Sequence, residues 1–205
     1  MEHEHTHAIE HRDDAASRIG MWLFIFTELF LFAGLFLVFI VYRFKYHAGF
    51  HLAAQELNVK IGTINSIILL FSGMTMGIAY LAIQKAKNTL TLWMLTITIV
   101  LGIIFLVNKY FEWAVKFEHG LYPGSKELIS LSHGDVMFFG LYFFMTGLHA
   151  LHLIAGIVFI IIAIGAVIRG RVHSTKYALL ENCSLYWHLV DLVWIFLFPL
   201  FYLIN

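Results

Sequence analysis

The sequence predicts an all-α integral membrane bundle of five transmembrane helices, with the amino terminus cytoplasmic and the carboxyl terminus outside. Hydrophobic residues fill 60% of the 205 positions and charged residues 13%, where a soluble domain carries about 25% charged residues. Apolar blocks of about 20 residues, the length that crosses a hydrocarbon core, recur five times. These blocks run almost end to end, which leaves no room for a separate soluble module.

The chain divides into a tail and a membrane domain. Residues 1–19 carry Arg12, Arg18, several acids and His3, His5, His7 and His11. Such a segment is neither an apolar signal nor a helix able to bury itself, and it reads as a mobile, histidine-rich cytoplasmic tail. A metal site needs preorganised imidazoles, so a solvated tail is the simpler reading of those histidines. Residues 20–205 form the transmembrane domain, with spans at 20–42, 61–83, 90–113, 136–168 and 185–204. The fourth is longer than a bilayer requires and is expected to tilt or protrude. Pro199, late in the fifth, is expected to kink it or loosen its last turns. Gly73 and Gly77 in the second span, Ser66, Ser72 and Gly102, and Gly140, Gly147 and Gly156 in the fourth mark close helix contacts, because lipid supplies no hydrophobic drive between helices.

Orientation follows from the loop charges, since Lys and Arg resist export. The tail and the 84–89 and 169–183 loops hold Arg12, Arg18, Lys85, Lys87, Arg169, Arg171 and Lys176, whereas the opposite side holds Arg43, Lys45, Lys60, Lys116 and Lys126. The formal net charge is zero and no basic stripe exists, which excludes nucleic acid as a partner. Cys183 is the single cysteine, so an internal disulfide and paired-thiolate chemistry are excluded. It reads as a small buried hydrophobe.

Ionisable groups in hydrocarbon are costly, about 2.5–3.5 kcal/mol each on insertion scales, so each asks for a reason. Glu28 lies eight residues past Gly20 among Phe24, Phe26, Phe30 and Phe32, roughly 12 Å into the first span at about 1.5 Å per residue. It is a candidate proton donor or lipid-headgroup partner, or a structural acid bonded to another helix. Three pairs recur at i, i+3 spacing, which puts their members on one side of a helix. Lys109 and Glu112 read as an interfacial ion pair, and His149 and His152 as neutral imidazoles bonded between helices. His188 and Asp191, in the first turns of the fifth span, read as an imidazole oriented by a carboxylate near the cytoplasmic face. Two histidines three residues apart on one helix cannot take both faces of one heme.

The segments YFFMTGLHALHLIAG (Tyr142–Gly156), YWHLVDLVWIFLF (Tyr186–Phe198) and WLFIFTELFLFAGLF (Trp22–Phe36) together resemble the cytochrome c oxidase subunit III family. INSIILLFSG and LGIIFLVNKYFEW add weaker likeness, so the resemblance covers nearly everything after residue 19. Larger family members have seven helices, of which this chain matches the last five, and a five-helix form is familiar among bacterial oxidases, quinol oxidases included. The resemblance implies a multi-pass subunit of the bacterial plasma membrane that is not itself an enzyme. It would pack on oxidase subunit I, with subunit II and a small subunit IV as further neighbours. It would bind phospholipid, sustain proton uptake and protect the oxidase during turnover, with heme and copper held in the partner subunits and no cofactor in this chain. Glu28 takes the place of the family's carbodiimide-reactive membrane carboxylate. Arg169, Arg171 and Lys176 fall in the loop where the family has lipid-headgroup contacts. The electron donor stays open between cytochrome c and quinol. Other functional classes also stay open: an accessory subunit of a nitric oxide reductase, a stand-alone transporter or proton channel, and a membrane cytochrome in its own right.

Overall fold

Helices account for the regular structure because each span is apolar along its length and must satisfy its backbone internally in lipid. A computed structural model describes the backbone of residues 2–203 and the side chains of residues 16–203. The elements are α1 (Glu2–Lys45), α2 (His47–Gln55), α3 (Val59–Gln84), α4 (Asn88–Glu118), α5 (Lys126–Ser130), α6 (His133–Ile168) and α7 (Ala178–Tyr202). Five of them are long and apolar enough to cross a membrane: the Ala16–Lys45 part of α1, and α3, α4, α6 and α7. Four of the predicted spans fall inside these helices, and the fifth, 185–204, runs past the end of α7 at Tyr202. The backbone is already helical from Glu2, within the segment read as a tail, and the end of that segment is anchored: Ser17 accepts a hydrogen bond from Asn182 at 2.8 Å and Arg18 pairs with Glu181 at 2.8 Å. The side chains of His3, His5, His7 and His11 lie outside the described residues, and so does any metal site they would form.

The helix ends follow local chemistry. Asn58 caps α3 through its side-chain oxygen, and Ser132 with Asp135 forms a reciprocal capping box on α6. Three spans end in the same way, with paired bonds reaching back three and five residues around one residue in the left-handed region. Gly120 (φ 69°) and Gly170 (φ 68°) serve after α4 and α6. After α3 the position falls to Ala86, at φ 56°.

Helix α7 is the centre of the bundle. It packs on α1, α3 and α6, while α4 packs on α3 and α6, and α1 reaches neither α3 nor α4 among the described residues. The small residues of the sequence seat two tryptophans of α7. A Cβ on Gly102 or Gly156 would come within 3.0 Å of the Trp187 ring, and the Trp187 indole donates to Ser72 at 2.9 Å. The Trp194 indole donates to Ser66 at 3.0 Å. One side chain thus ties α3, α4, α6 and α7 together. Gly77 and Gly140 have nothing within 4 Å of where a Cβ would stand, so they make no close contact inside the chain. Short α2 buries Phe50 against Phe39 and Phe138, which in turn pack on Phe201, with ring centroids 4.9–5.7 Å apart in the contacts Phe39–Phe50, Phe50–Phe138, Phe39–Phe201 and Phe138–Phe201. This aromatic plug closes the α2–α5 end of the bundle. Outward faces carry exposed apolar side chains such as Leu23, Phe30, Trp93 and Leu151, as a lipid solvent requires. Helix α6, with 36 residues, is about 54 Å long at 1.5 Å per residue, which exceeds a hydrocarbon core of about 30 Å.

Ala86→Gly removes the left-handed penalty at the α3 end and should stabilise the chain by about 1 kcal/mol. A higher thermal midpoint in detergent micelles is the expected result, and a lower one would show that the turn is not held in this conformation.

Candidate functional site

The buried polar groups are sorted by which helices they join. Lys109 and Glu112 on α4 form the predicted pair at 3.1 Å, yet they are enclosed, at 4% exposure each, instead of lying at an open interface. The enclosure comes from two tyrosines that sequence reasoning did not single out. Lys109 Nζ donates to Tyr142 Oη at 3.0 Å and to Tyr202 Oη at 2.8 Å, in addition to Glu112 Oε2. Both phenols donate to Glu112 Oε1, Tyr142 at 2.9 Å. The Trp194 ring adds a cation–π contact at 5.3 Å. All three ammonium protons are used, so the cluster is a closed knot between α4, α6 and α7 with no open valence for a substrate. Asn65 and Asn108 make a similar link between α3 and α4 at 2.9 Å, and Lys116 donates to the Glu56 carbonyl oxygen.

Glu28 and His152 come together from α1 and α6. Glu28 Oε2 lies 2.9 Å from His152 Nε2, and His152 Nδ1 lies 2.8 Å from the Leu148 carbonyl oxygen. A carbonyl only accepts, so Nδ1 carries a hydrogen. The Nε2 contact therefore holds one shared proton, on the carboxyl or on the imidazole, and the pair is neutral overall either way. Each side chain keeps 16% of its surface exposed, on the lipid side of the bundle.

The two members of each remaining pair part company. His149 does not share the environment of His152: it is buried against Phe105 and Trp194, and neither ring nitrogen has a hydrogen-bond partner. The expectation of an imidazole bonded between helices thus holds for His152 and fails for His149. His188 and Asp191 make no hydrogen bond to each other; Asp191 is buried and both its oxygens lack partners, whereas His188 is exposed. The reading of a carboxylate orienting an imidazole is corrected accordingly. Helix α7 begins at Ala178, ahead of the predicted span, so Asp191 stands at mid-helix. Cys183 is buried, as expected, with Sγ 3.6 Å from the Phe159 carbonyl oxygen.

At the opposite end of the bundle Arg169, Arg171 and Lys176 line one cavity of about 410 Å³ with Ser17, Val172 and Asn182. Sequence placed these basic residues in one loop; the fold brings them together around one opening, with the Arg18–Glu181 pair beside it. Among the described residues no group of three His, Cys, Asp or Glu side chains is placed to hold a metal ion.

The cytochrome c oxidase subunit III family matches residues 1–205. The chain belongs to that family. A probable cytochrome c oxidase subunit 3 from Rickettsia bellii is 30% identical over 227 residues, covering 100% of this chain and 73% of the relative. A probable quinol oxidase subunit 3 from Staphylococcus aureus is 28% identical over 209 residues, covering 100% and 98%. A heme-copper oxidase subunit I+III from Aeropyrum pernix is 32% identical over 194 residues, covering 91% of this chain and 22% of that longer protein.

Lys109→Met or Glu112→Leu alone strands a buried charge and should cost about 3–5 kcal/mol, whereas the double variant should recover most of that. Unfolding in mixed detergent micelles reads the difference; equal losses in single and double variants would show that the knot is not electrostatically closed.

Proposed function

We propose that this chain is a non-catalytic subunit III of a respiratory heme-copper terminal oxidase in a bacterial plasma membrane. It packs on subunit I, near subunit II and a small subunit IV, and the hemes and copper that reduce dioxygen to water are held by those partners. The amino terminus is cytoplasmic and the carboxyl terminus is outside. The observation that carries this reading is the family match over the whole chain. The disposition of the polar groups agrees with it: the Lys109 knot is closed upon itself and the Glu28–His152 link is neutral, so both serve to join helices. A relative named as a subunit I+III supports subunit I as the direct neighbour.

Two sites give the subunit its tasks. The cavity of Arg169, Arg171 and Lys176 has the charge, size and interfacial place for a phospholipid headgroup. Its apolar wall, which includes Ile162 and Leu179, continues toward the outward face where acyl chains run. Glu28 and His152, sharing one proton at the lipid-facing edge, form the polar group through which the subunit would sustain proton uptake by its neighbour.

The oxidase purified from a strain lacking this chain should retain its initial turnover rate but inactivate after several-fold fewer turnovers than the complete complex. Counting turnovers to inactivation by oxygen uptake tests this, and an unchanged lifetime would contradict the protective role.

A further inference from the structure

Of the charged side chains buried among the described residues, Lys109, Glu112 and Lys116 find partners within the chain, and Asp191 does not. The residue is 7% exposed, with both carboxyl oxygens covered, and stands midway along the 25-residue α7, about 20 Å from the helix start at roughly 1.5 Å per residue. Oδ2 lies 2.5 Å from where a Cβ on Gly73 would be, so the carboxyl is fitted into a slot that only glycine leaves on α3. The slot lies in the floor of a groove on the outer surface of the bundle, and a small turn of the Asp191 side chain would bring its oxygens, covered in the free chain, to that groove. Leu70, Met74 and Gly77 of α3 and His188, Leu192 and Ile195 of α7 line the groove around it. Because α1 does not reach α3 among the described residues, this face of α7 stays uncovered between them.

Three features point to the kind of occupant. An unpaired carboxyl in hydrocarbon is costly, and the deficit here is of hydrogen-bond donors. A lipid headgroup stays at the interface, and acyl chains, which do reach mid-membrane, have no donor to offer. A transmembrane helix can present a hydroxyl, amide, imidazole or guanidinium at that depth. Moreover, Gly73 and Gly77 form a strip of small residues one turn apart, of which α7 uses only the first; nothing lies within 4 Å of a Cβ placed on Gly77. Such a strip lets a second backbone approach closely where packing and hydrogen bonds must drive association. His188, exposed on the same groove, supplies a further polar contact.

We propose that the α3/α7 groove centred on Asp191 is the docking surface for a transmembrane helix of a partner oxidase subunit, which brings a hydrogen-bond donor to the Asp191 carboxyl. This rests on the subunit reading given above and adds where the partner binds and through which group. The test uses the intact complex in native membranes. A photo-crosslinking amino acid replaces Leu192 in the groove or, as a control, Leu151 on the exposed face of α6, and the adducts are identified by mass spectrometry. The Leu192 probe should join this chain to another oxidase subunit at least five-fold more efficiently than the Leu151 probe. In parallel, Asp191→Leu should lower the chain retained on the purified complex about ten-fold after a detergent wash, and Asp191→Asn, which keeps an acceptor oxygen, less than two-fold. A Leu192 probe that reacts only with lipid, or only with a second copy of this chain, overturns the proposal while leaving the subunit reading intact. Failure of the wild-type chain to co-purify with any oxidase subunit would overturn both.

Discussion

The buried ammonium of Lys109 is the constraint on which the bundle's geometry turns. A charge enclosed in hydrocarbon must be met by an opposite charge and by enough oxygen atoms to use its protons. Glu112 lies one turn further along α4, and the remaining oxygens come from Tyr142 on α6 and Tyr202 at the end of α7. Three helices therefore have to bring four side chains to one depth. That requirement fixes how far α7 runs, sets α6 in register with α4, and places Trp194 over the cation. The aromatic plug of Phe39, Phe50, Phe138 and Phe201 lies at the same end, where Tyr202 follows directly on Phe201 in the chain. Charge neutralisation and aromatic packing thus secure one end of the bundle together.

Elsewhere the bundle is held by close approach. Lipid is as apolar as a leucine side chain, so helices gain little by burying leucines against one another. Trp187 fits between Gly102 and Gly156 and bonds to Ser72, and Trp194 bonds to Ser66. Shape and single hydrogen bonds thus do what hydrophobic burial does in water. The same logic leaves Asp191 conspicuous, since among the described residues it is the buried charged side chain that fits a slot in this chain and finds no partner there.

The sequence was informative where the signal is local. Hydrophobic length located all five spans, and the small residues at 66, 72, 102 and 156 were correctly read as contact points. The i, i+3 spacing of Lys109 and Glu112 was enough to pair them. Tyr142 and Tyr202 escaped because they lie 33 and 93 residues from Lys109 in sequence, and no periodicity links residues so far apart. The histidine pair shows the limit of spacing within one helix. Residues three apart are separated by about 60° around the axis, enough for His152 to meet Glu28 on α1 while His149 faces α4 and α7. The start of α7 was not legible, because its partly polar run Ala178–Ser184 lacks the apolar signal that marks a span.

Taken together, the polar groups of the described residues join helices, line a basic cavity and leave the Asp191 carboxyl without a partner in this chain. That division of labour fits the proposed role of a scaffold whose chemistry is carried out next door. The most direct measurement is to isolate the complex from native membranes on an affinity tag carried by this chain, and to record its heme absorption and copper content. The chain released from that complex by stronger detergent is then measured in the same way. Heme and copper in the complex, with neither in the released chain, is the result expected of a redox-free subunit. A chain that purifies alone, or one that keeps a heme spectrum after release, would contradict it.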